Sequence, residues 1–281
     1  MTILVFGKTD QIACELAELD PSVRCLGRED ADLSDPQTCA DLVRRLAPKA
    51  VINVAGFSSI DRAELKERQA GLINGVAPGA IALACADLGI PFVHLSSDQV
   101  FDGAGDQPFT PDHSPAPLSV YGHSKRLGER AVAASGADYA ILRVSRVFSA
   151  HGKNFLKSTL ALFDQRDSLE IVDDQIGGPT PARAVAQACL NIAKQLKASP
   201  KKSGVYHLAG APDVSWKAFT EEIAEAATTQ VTISGVPTSK YPTTAPRPLN
   251  ARLDCLSLEA AFGITRPDWK QAVHEAVSEL R

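Results

Sequence analysis

Cysteine is scarce in this sequence and is never clustered. The six cysteines stand singly along the chain, with no Cys-x-x-Cys pair and no nearby histidine that would complete a metal-binding motif. This distribution excludes a zinc-ribbon type of site and a small scaffold held together by disulfides. We expect the cysteines to be buried, reduced thiols.

The chain also has no surplus of positive charge. Its 29 lysines and arginines are outnumbered by 33 aspartates and glutamates, which gives a formal net charge of −4. The basic residues form no stripe of the kind that follows a phosphate backbone. We therefore expect no nucleic-acid partner.

No segment has the features of a secretory signal or of a membrane span. The N-terminus lacks a basic segment followed by a long apolar run. The longest uncharged apolar stretch, residues 70–86, contains Asn74, Gly75 and Pro78, and a buried helix explains it better than a span. We expect a soluble, cytoplasmic protein without a membrane partner.

What the sequence does have is a regular alternation of short apolar runs with helical patterns. Its 281 residues, 44% of them apolar, suffice for two domains, or for one large α/β domain with an appendage. The predicted strands are 3–6, 23–26, 50–55, 92–96 and 140–144, and the helices between them are 11–19, 36–46, 74–88 and 119–134. This order predicts an α/β fold with a doubly wound parallel sheet, the Rossmann arrangement.

The rhythm changes beyond about residue 147. Helical stretches at 155–165, 182–196 and 219–227 are separated by turns rich in proline and glycine, and 205–208 is one more predicted strand. We predict a main domain over residues 1–150, which also receives part of 182–209. A smaller, discontinuous lobe over 151–281 completes the chain.

A glycine turn follows the first predicted strand. Gly7-x-x-Asp10-x-x-Ala13 stands at the start of a predicted helix, where free N–H groups and positive potential suit a pyrophosphate. Only the first of the three expected glycines is present, and Asp10 puts a carboxylate at the place of the second. These residues alone support a dinucleotide site and an ordinary strand–helix turn about equally.

Arg28 follows the second predicted strand. It stands about 20 residues after the first glycine, where dinucleotide-binding folds distinguish the 2′ position of the adenosine ribose. An arginine there favours a 2′-phosphate and hence NADPH, with NADH still possible. A solvated surface arginine beside Glu29 is the alternative that the residues leave open.

Tyr121 and Lys125 stand four residues apart in a predicted helix, so their side chains share one face. Ser97 follows one predicted strand and Asn53 lies in another, so both belong at the carboxyl edge of the sheet, where ligands bind. These groups suit carbonyl reduction: Tyr121 donates a proton, Lys125 lowers the pKa of the phenol and holds ribose hydroxyls, and Ser97 hydrogen-bonds the carbonyl oxygen. A capping hydroxyl at a strand end is the alternative for Ser97.

Longer motifs carry a family resemblance across essentially the whole chain. They are 53–64 (NVAGFSSIDRAE), 97–103 (SDQVFDG), 174–180 (DQIGGPT), 247–254 (RPLNARLD) and 267–269 (PDW). In this order they resemble the extended short-chain dehydrogenases/reductases, and specifically the dTDP-4-dehydrorhamnose reductase family.

The resemblance implies NADPH-dependent reduction of the C4 ketone of a dTDP-4-dehydro-6-deoxy sugar, foremost dTDP-4-dehydro-L-rhamnose. It implies a dinucleotide-binding domain over 1–150, a substrate-binding lobe over 151–281, and Ser97, Tyr121 and Lys125 as catalytic residues. The residues implied for cofactor binding are Gly7, Thr9, Gln11, Ile12, Arg28, Asp32, Leu33, Asn53, Ala55, Tyr121 and Lys125. Those implied for the substrate are Ser97, Asp98, Asn154, Gln175 and Arg247. Arg247 would hold the diphosphate, with a structural ion pair as its alternative.

The chain departs from the family pattern at positions that face the cofactor and the sugar. Asp10 replaces the second glycine, Gln99 replaces a tyrosine and Arg146 replaces a tryptophan. By the resemblance, these changes alter the cofactor turn and the sugar pocket.

Part of the family pairs through a magnesium ion held by glutamates. Glu15 and Glu279 stand at matching positions, but the third position is Arg183, whose charge repels a cation. We expect no bound metal, and a monomer or a weak homodimer.

Two other functions stay open. A 4,6-dehydratase or an epimerase is less well supported, because dehydratases carry Asp-Glu after the Ser/Thr whereas this chain has Asp98-Gln99. A catalytically weakened or inactive sugar-nucleotide-binding or regulatory relative is favoured by Asp10 and Arg146, and the presence or absence of saturable NADPH binding separates it from an enzyme.

Overall fold

A parallel sheet of six strands forms the centre of the protein. The structure is a computed structural model that describes residues 2–281. The strands of this sheet are β1 (Ile3–Phe6), β2 (Val23–Leu26), β3 (Ala50–Asn53), β4 (Phe92–Ser97), β5 (Tyr139–Val144) and β10 (Gly204–Leu208). Their order is β10-β5-β4-β3-β1-β2, so the winding direction reverses between β1 and β3. The predicted doubly wound parallel sheet is confirmed.

Helices cover both faces of the sheet. On one face lie α1 (Gln11–Leu19) and α8 (Ala182–Ala198), which pack on each other and on a core of aliphatic strand residues. On the other lie α2 (Pro36–Leu46), α5 (Ala77–Leu88) and α6 (Val120–Ala133). Three of these helices begin at residues that accept a backbone hydrogen bond, as N-caps do: Asp10, Asp35 and Ser119. Both α8 and β10 therefore return to the main sheet from the second half of the chain.

One stretch of helix is long and apolar enough to cross a membrane by length and composition alone. It spans Glu67–Leu88 and consists of α4 (Glu67–Gly71), a π-helical turn (Leu72–Val76) and α5. In its most apolar window 56% of the residues are buried, and it packs against α2 and α6. This is the packing of a core helix, as predicted for residues 70–86.

The second half of the chain contributes a smaller lobe with its own aromatic core. Phe219, Trp269 and Phe148 are buried there, between α7 (Phe155–Phe163), α9 (Trp216–Ala226) and α11 (Trp269–Leu280). The remaining elements are α3 (Ile60–Leu65), β6 (Val147–Phe148), β7 (Ser168–Val172), β8 (Ile176–Gly177), β9 (Thr180–Pro181), β11 (Val214–Ser215), β12 (Thr232–Val236), β13 (Asn250–Ala251) and α10 (Leu256–Phe262). Most of these strands have two residues, which is too short for a periodic pattern to predict them.

The six cysteines are free thiols in the structure. Four are buried, and Cys14 and Cys25 are partly buried. This agrees with the expectation of reduced cysteines, although burial is incomplete at these two positions.

A buried ion pair fixes α6 to the sheet. The guanidinium of Arg143 on β5 donates two hydrogen bonds of 2.8 Å to the carboxylate of Glu129 on α6, and both side chains are almost fully buried. The Phe101 ring lies against the guanidinium, with its centroid 5.0 Å from the guanidinium carbon. Because Tyr121 and Lys125 stand earlier on the same helix, this pair sets where they lie.

We expect Glu129→Gln to lower the free energy of unfolding by about 3–5 kcal/mol, because it leaves the Arg143 charge buried without a carboxylate. Urea titration followed by circular dichroism measures this change. The matched control is Glu221→Gln, which breaks the partly exposed pair between Lys217 and Glu221 and should cost less than about 0.5 kcal/mol. Equal losses in the two variants would show that the buried pair does not anchor α6.

Candidate active site

A cleft of about 380 Å³ opens at the carboxyl edge of the sheet. It lies where the winding direction reverses, between the turn after β1 and the turn after β3, and the smaller lobe forms its other wall. Doubly wound folds bind their ligands at this point. The polar side chains that line it include Asp10, Gln11, Ser97, Asp98, Tyr121, Lys125, Arg146, Gln175 and Arg247.

The ammonium group of Lys125 is buried at the floor of this cleft. Its Nζ donates a 2.5 Å hydrogen bond to the backbone carbonyl of Leu95 on β4, and the residue is 6% exposed. Burial lowers the pKa of Lys125 to about 8, while the carboxylates of Glu129 and Asp10 oppose that fall. Lys125 is therefore mostly protonated at neutral pH, because its pKa lies only slightly above that pH.

Tyr121 lies one helical turn before Lys125 and lines the same cleft. Its phenol lies close enough to Ser97 for that hydroxyl to oppose a rise in the pKa of Tyr121. We expected Lys125 to lower the pKa of this phenol; Lys125 is not among the groups that shift it in the structure, and the net shift is upward. Burial raises the pKa of Tyr121 to about 12, and the carboxylates of Asp98 and Asp10 add to the rise. The phenol consequently keeps its proton at neutral pH, as a proton donor must.

Asp98 orients Ser97. The Ser97 hydroxyl donates a 2.7 Å hydrogen bond to Oδ1 of Asp98, and Ser145 donates one of 2.8 Å to Oδ2. Burial raises the pKa of Asp98, although both hydroxyls favour its charged form. The Ser97 oxygen in turn accepts the Gln99 N–H at 3.2 Å, so Asp98 and the Gln99 backbone together fix the direction of this hydroxyl.

The turn after β1 packs closely against the turn after β3, and glycine at position 7 makes this possible. Gly7 has φ +122°, a conformation that side chains rarely adopt, and a Cβ there would lie 2.9 Å from Val54 and 3.1 Å from the backbone nitrogen of Ala55. Ala55 and Ile12 line the cleft beside it. This turn and the N-terminus of α1 together fit a pyrophosphate.

Asp10 is the feature of this turn that does not fit an anion. It is the N-cap of α1, and its Oδ1 accepts a 2.8 Å hydrogen bond from the backbone N–H of Ile12. Burial raises the pKa of Asp10 to about 6, against the opposing effects of the helix N–H groups and of Lys125. A carboxylate therefore occupies N–H groups that a pyrophosphate would use.

The side chains of Gln11 and Asn154 are hydrogen-bonded to each other. All polar atoms of the Asn154 side chain have partners within the protein, so none is free for a substrate. The Asn154 amide donates to Gln11, Ser149 and His151, while its Oδ1 caps α7 by accepting from the Lys157 N–H. Asn154 is not among the residues that line the cleft. We predicted a substrate contact here, and the structure instead gives Asn154 the part of a loop and helix cap. Gln11 does line the cleft.

Asn53 also lies away from the cleft. It is fully buried, and its amide nitrogen is 3.2 Å from Nδ1 of His94 on the neighbouring strand. Its Oδ1 has no hydrogen-bond partner among the described residues. The predicted contact between Asn53 and the cofactor stays a prediction, and in the structure the amide of Asn53 faces His94.

The residues predicted around the adenosine end lie beyond β2. Arg28 is exposed and its Nε is 4.0 Å from Asp32, whose own carboxylate accepts the Ser34 N–H. Leu33 is 7% exposed and packs into the core under the sheet. Thr9 is exposed in the glycine turn. Arg28 is thus free to turn toward a 2′-phosphate, whereas the side chain of Leu33 is committed to the core.

Arg247 both lines the cleft and forms an ion pair. Its Nη2 is 2.6 Å from Oδ2 of Asp61, and Oδ1 of Asp61 accepts the Ala245 N–H. Asp61 thereby holds the proline-rich segment 243–248 against the main domain. Both interpretations considered for Arg247, a cleft cation and a structural ion pair, are compatible with this geometry.

Sequence reasoning missed how Arg146 is held. Its guanidinium donates 2.7 Å hydrogen bonds to the carbonyls of Val214 and Gln175, and its carbon lies 4.2 Å from the centroid of the Trp216 ring. The Trp216 indole N–H donates to Oε1 of Gln175. Burial lowers the pKa of Arg146 to about 10, so it remains a cation. Trp216 is seventy positions downstream, and only the fold brings it to this wall.

A second group of ionisable residues lies on the surface near α1. Oxygen and nitrogen atoms of Glu15, Glu18 and His151 lie within 4.8 Å of one another, close enough to hold a metal ion. Arg183 is 3.2 Å from Glu15 and 3.5 Å from Glu18. Its guanidinium already supplies a positive charge to both carboxylates.

Comparison with known proteins agrees with this geometry. The sequence model of the family described as "RmlD substrate binding domain" matches residues 1–281. A dTDP-4-dehydrorhamnose reductase of Sinorhizobium fredii (strain NBRC 101917 / NGR234) is 38% identical over 100% of this chain and 98% of the relative. The relative of the same name from Escherichia coli K12 is 34% identical, with the same coverage.

Two solved structures of dTDP-4-dehydrorhamnose reductases have closely similar folds. That from Clostridium acetobutylicum superposes with a TM-score of 0.93 at 28% identity, covering 100% of this chain and 99% of its own. That from Bacillus anthracis, in complex with NADP, has a TM-score of 0.91 at 26% identity, covering 99% of both chains. The sequence, the cleft and these relatives together show that the chain belongs to the RmlD family, that of the dTDP-4-dehydrorhamnose reductases.

Proposed function

We propose that this chain reduces the C4 ketone of dTDP-4-dehydro-L-rhamnose with NADPH, giving dTDP-L-rhamnose. The observation that carries the proposal is the Ser97–Tyr121–Lys125 cluster at the carboxyl edge of the sheet, beside the glycine turn. The main sheet with residues 182–208 would bind the cofactor, and the smaller lobe would bind the sugar nucleotide. NADPH, when bound, supplies a hydride for the carbonyl carbon.

In the reaction, the residues of the chain handle the proton and the developing charge. Tyr121 keeps its proton until the carbonyl oxygen gains negative charge, and then donates it. Ser97 turns its hydrogen from Asp98 to the same oxygen and stabilises it as a hydrogen-bond donor. The cation of Lys125, one helical turn away and out of contact with bulk water, stabilises the phenolate left on Tyr121.

The negatively charged diphosphate of the substrate needs a cation at the outer part of the cleft. Arg247 supplies one, because its guanidinium lines the cleft and its 16% exposed side chain is held by Asp61 rather than free in solvent. A guanidinium fits phosphate oxygens in a bidentate geometry. Gln175, which lines the wall with Arg146 and Trp216, would face the sugar.

The proposal extends to the setting in which the enzyme works. We place it in the cytoplasm, as a monomer or a weak homodimer without nucleic-acid or membrane partners. The acidic net charge of −4 argues against a nucleic-acid partner. The ion pairs of Arg183 with Glu15 and Glu18 neutralise the candidate metal-binding carboxylates and so argue against a dimer held by a metal ion.

We expect Tyr121→Phe to lower kcat by about 10²–10⁴-fold, because it removes the proton donor. The dissociation constant for NADPH should stay within about threefold of the parent value, since the ring is retained. Consumption of NADPH in the presence of dTDP-4-dehydro-L-rhamnose measures the first quantity, and NADPH fluorescence titration measures the second.

The control for this variant is Tyr139→Phe, at the start of β5 and therefore at the opposite edge of the sheet. It should leave kcat unchanged. If Tyr121→Phe retains the parent kcat, Tyr121 is not the proton donor.

We expect Arg247→Gln to raise KM for the dTDP-sugar by about 10–100-fold, because it removes a charge-assisted hydrogen bond whose free energy corresponds to that change. NADPH affinity should not change. Steady-state kinetics with varied sugar nucleotide provides the measurement.

Asp61→Asn is the matched control, because it breaks the ion pair of Arg247 but keeps the guanidinium in the cleft. It should raise KM much less than Arg247→Gln does. Equal effects of the two variants would mean that Arg247 acts only by holding the loop.

A further inference from the structure

We propose that Asp10 becomes protonated when the nicotinamide dinucleotide binds, so that the affinity of this chain for NADPH falls as the pH rises. The inference rests on the proposed function and concerns a residue that stands where the family pattern has a glycine. It assigns to Asp10 a cofactor-binding role that depends on its proton.

The geometry makes Asp10 and the pyrophosphate competitors for the same groups. The Asp10 carboxylate lines the cleft and accepts the Ile12 N–H at 2.8 Å, at the N-terminus of α1. The N-terminal N–H groups of this helix are the ones that a doubly wound fold offers to a pyrophosphate. Two anions at this place repel each other, and the burial that acts on Asp10 strengthens the repulsion.

Protonation resolves this conflict without moving the side chain. Burial has already raised the pKa of Asp10 to about 6, so protonation at pH 7 weakens binding by only about tenfold. A neutral carboxyl group still accepts the Ile12 N–H with its carbonyl oxygen. Its new O–H can donate a hydrogen bond to a phosphate oxygen, which a carboxylate cannot do.

The surrounding ionisable groups set the direction of this effect. Those that line the cleft with Asp10 are Asp98, Tyr121, Lys125, Arg146 and Arg247, and Cys14 lies one turn along α1. Of these, Lys125 favours the charged form of Asp10, and a bound pyrophosphate would oppose it. Lys125 has a pKa of about 8, so below pH 7 it is already protonated and takes up no further proton.

Calorimetric titration with NADPH in two buffers of different ionisation enthalpy counts the protons directly. At pH 6.7 we expect the parent chain to take up about 0.8 of a proton more than Asp10→Asn, the fraction ionised for a pKa of about 6. Asparagine is the appropriate variant because it is neutral, has the same shape and is an equally good N-cap. Subtracting the proton uptake measured with Asp10→Asn removes the protons that the 2′-phosphate of NADPH binds or releases.

The affinities themselves provide a second readout. Between pH 6.5 and 7.5 the association constant of the parent chain should fall by close to tenfold relative to that of Asp10→Asn. At pH 7.5 the variant should bind NADPH about 10–30-fold more tightly than the parent.

The titration of Asp10 is also measurable without cofactor. Its pKa rises from 3.8 unfolded to about 6 folded, so the stability that its proton brings is present at low pH and lost as the pH rises through 6. From pH 5.0 to 7.5 the unfolding equilibrium constant of the parent should rise about tenfold relative to Asp10→Asn. Asp35→Asn replaces the exposed N-cap carboxylate of α2, whose pKa is lowered, and should show no such difference.

The possible outcomes separate this inference from the proposed function. If both chains bind NADPH with equal proton uptake, Asp10 stays charged or moves aside, and the inference is overturned while the function stands. If Asp10→Asn binds more tightly but proton uptake is still equal, the carboxylate repels the cofactor without being protonated, which also overturns it. If neither chain binds NADPH at pH 6, both the inference and the proposed function are wrong.

Discussion

The ammonium group of Lys125 is held beneath the carboxyl edge of the sheet by the Leu95 carbonyl, and the chemistry of the cleft depends on that contact. To place the Lys125 charge here, α6 must have one position and orientation relative to the carboxyl edge of the sheet. The buried pair of Arg143 with Glu129 holds α6 to β5 in that position. Tyr121 then lies one turn earlier, within hydrogen-bonding reach of Ser97.

Much of this arrangement could be predicted from the sequence because it follows from local spacing. The four-residue separation of Tyr121 and Lys125 places them on one helix face, and Ser97 ends a buried strand. The direction of the pKa shift of Tyr121 could not be predicted, since it depends on how completely the ring is buried and on the carboxylates of Asp98 and Asp10. Only tertiary packing determines those distances.

Asn154 and Asn53 show why the polarity of a residue and its position in the sequence are not enough to predict a binding contact. Asn154 has the right chemistry for a sugar contact, but its amide is used in full by Gln11, Ser149 and the start of α7. Asn53 lies in a strand as predicted, although that strand ends at Asn53 and not at residue 55, and its amide contacts His94 on the neighbouring strand. Side-chain direction at a sheet edge depends on strand pairing, which a single sequence does not specify.

The two positions that depart from the family pattern have different physical consequences. Arg146 is a cation without a carboxylate within 4 Å among the described residues, stabilised by two carbonyls and the Trp216 ring, so it shapes one wall of the cleft. Asp10 places an ionisable group at the cofactor turn and links that turn electrostatically to Lys125. The fold is thus that of a reductase, and both departures lie in its cleft.

The central claim is that this cleft brings a hydride donor, the Tyr121 phenol and a C4 ketone together. Its most direct test is to mix the purified protein with dTDP-4-dehydro-L-rhamnose and NADPH deuterated at the transferring position, and to examine the product by NMR. We expect one deuterium, located at C4 of the hexose, in a product of rhamno configuration. A product without deuterium at C4, or a sugar recovered unchanged while NADPH binds, would contradict it.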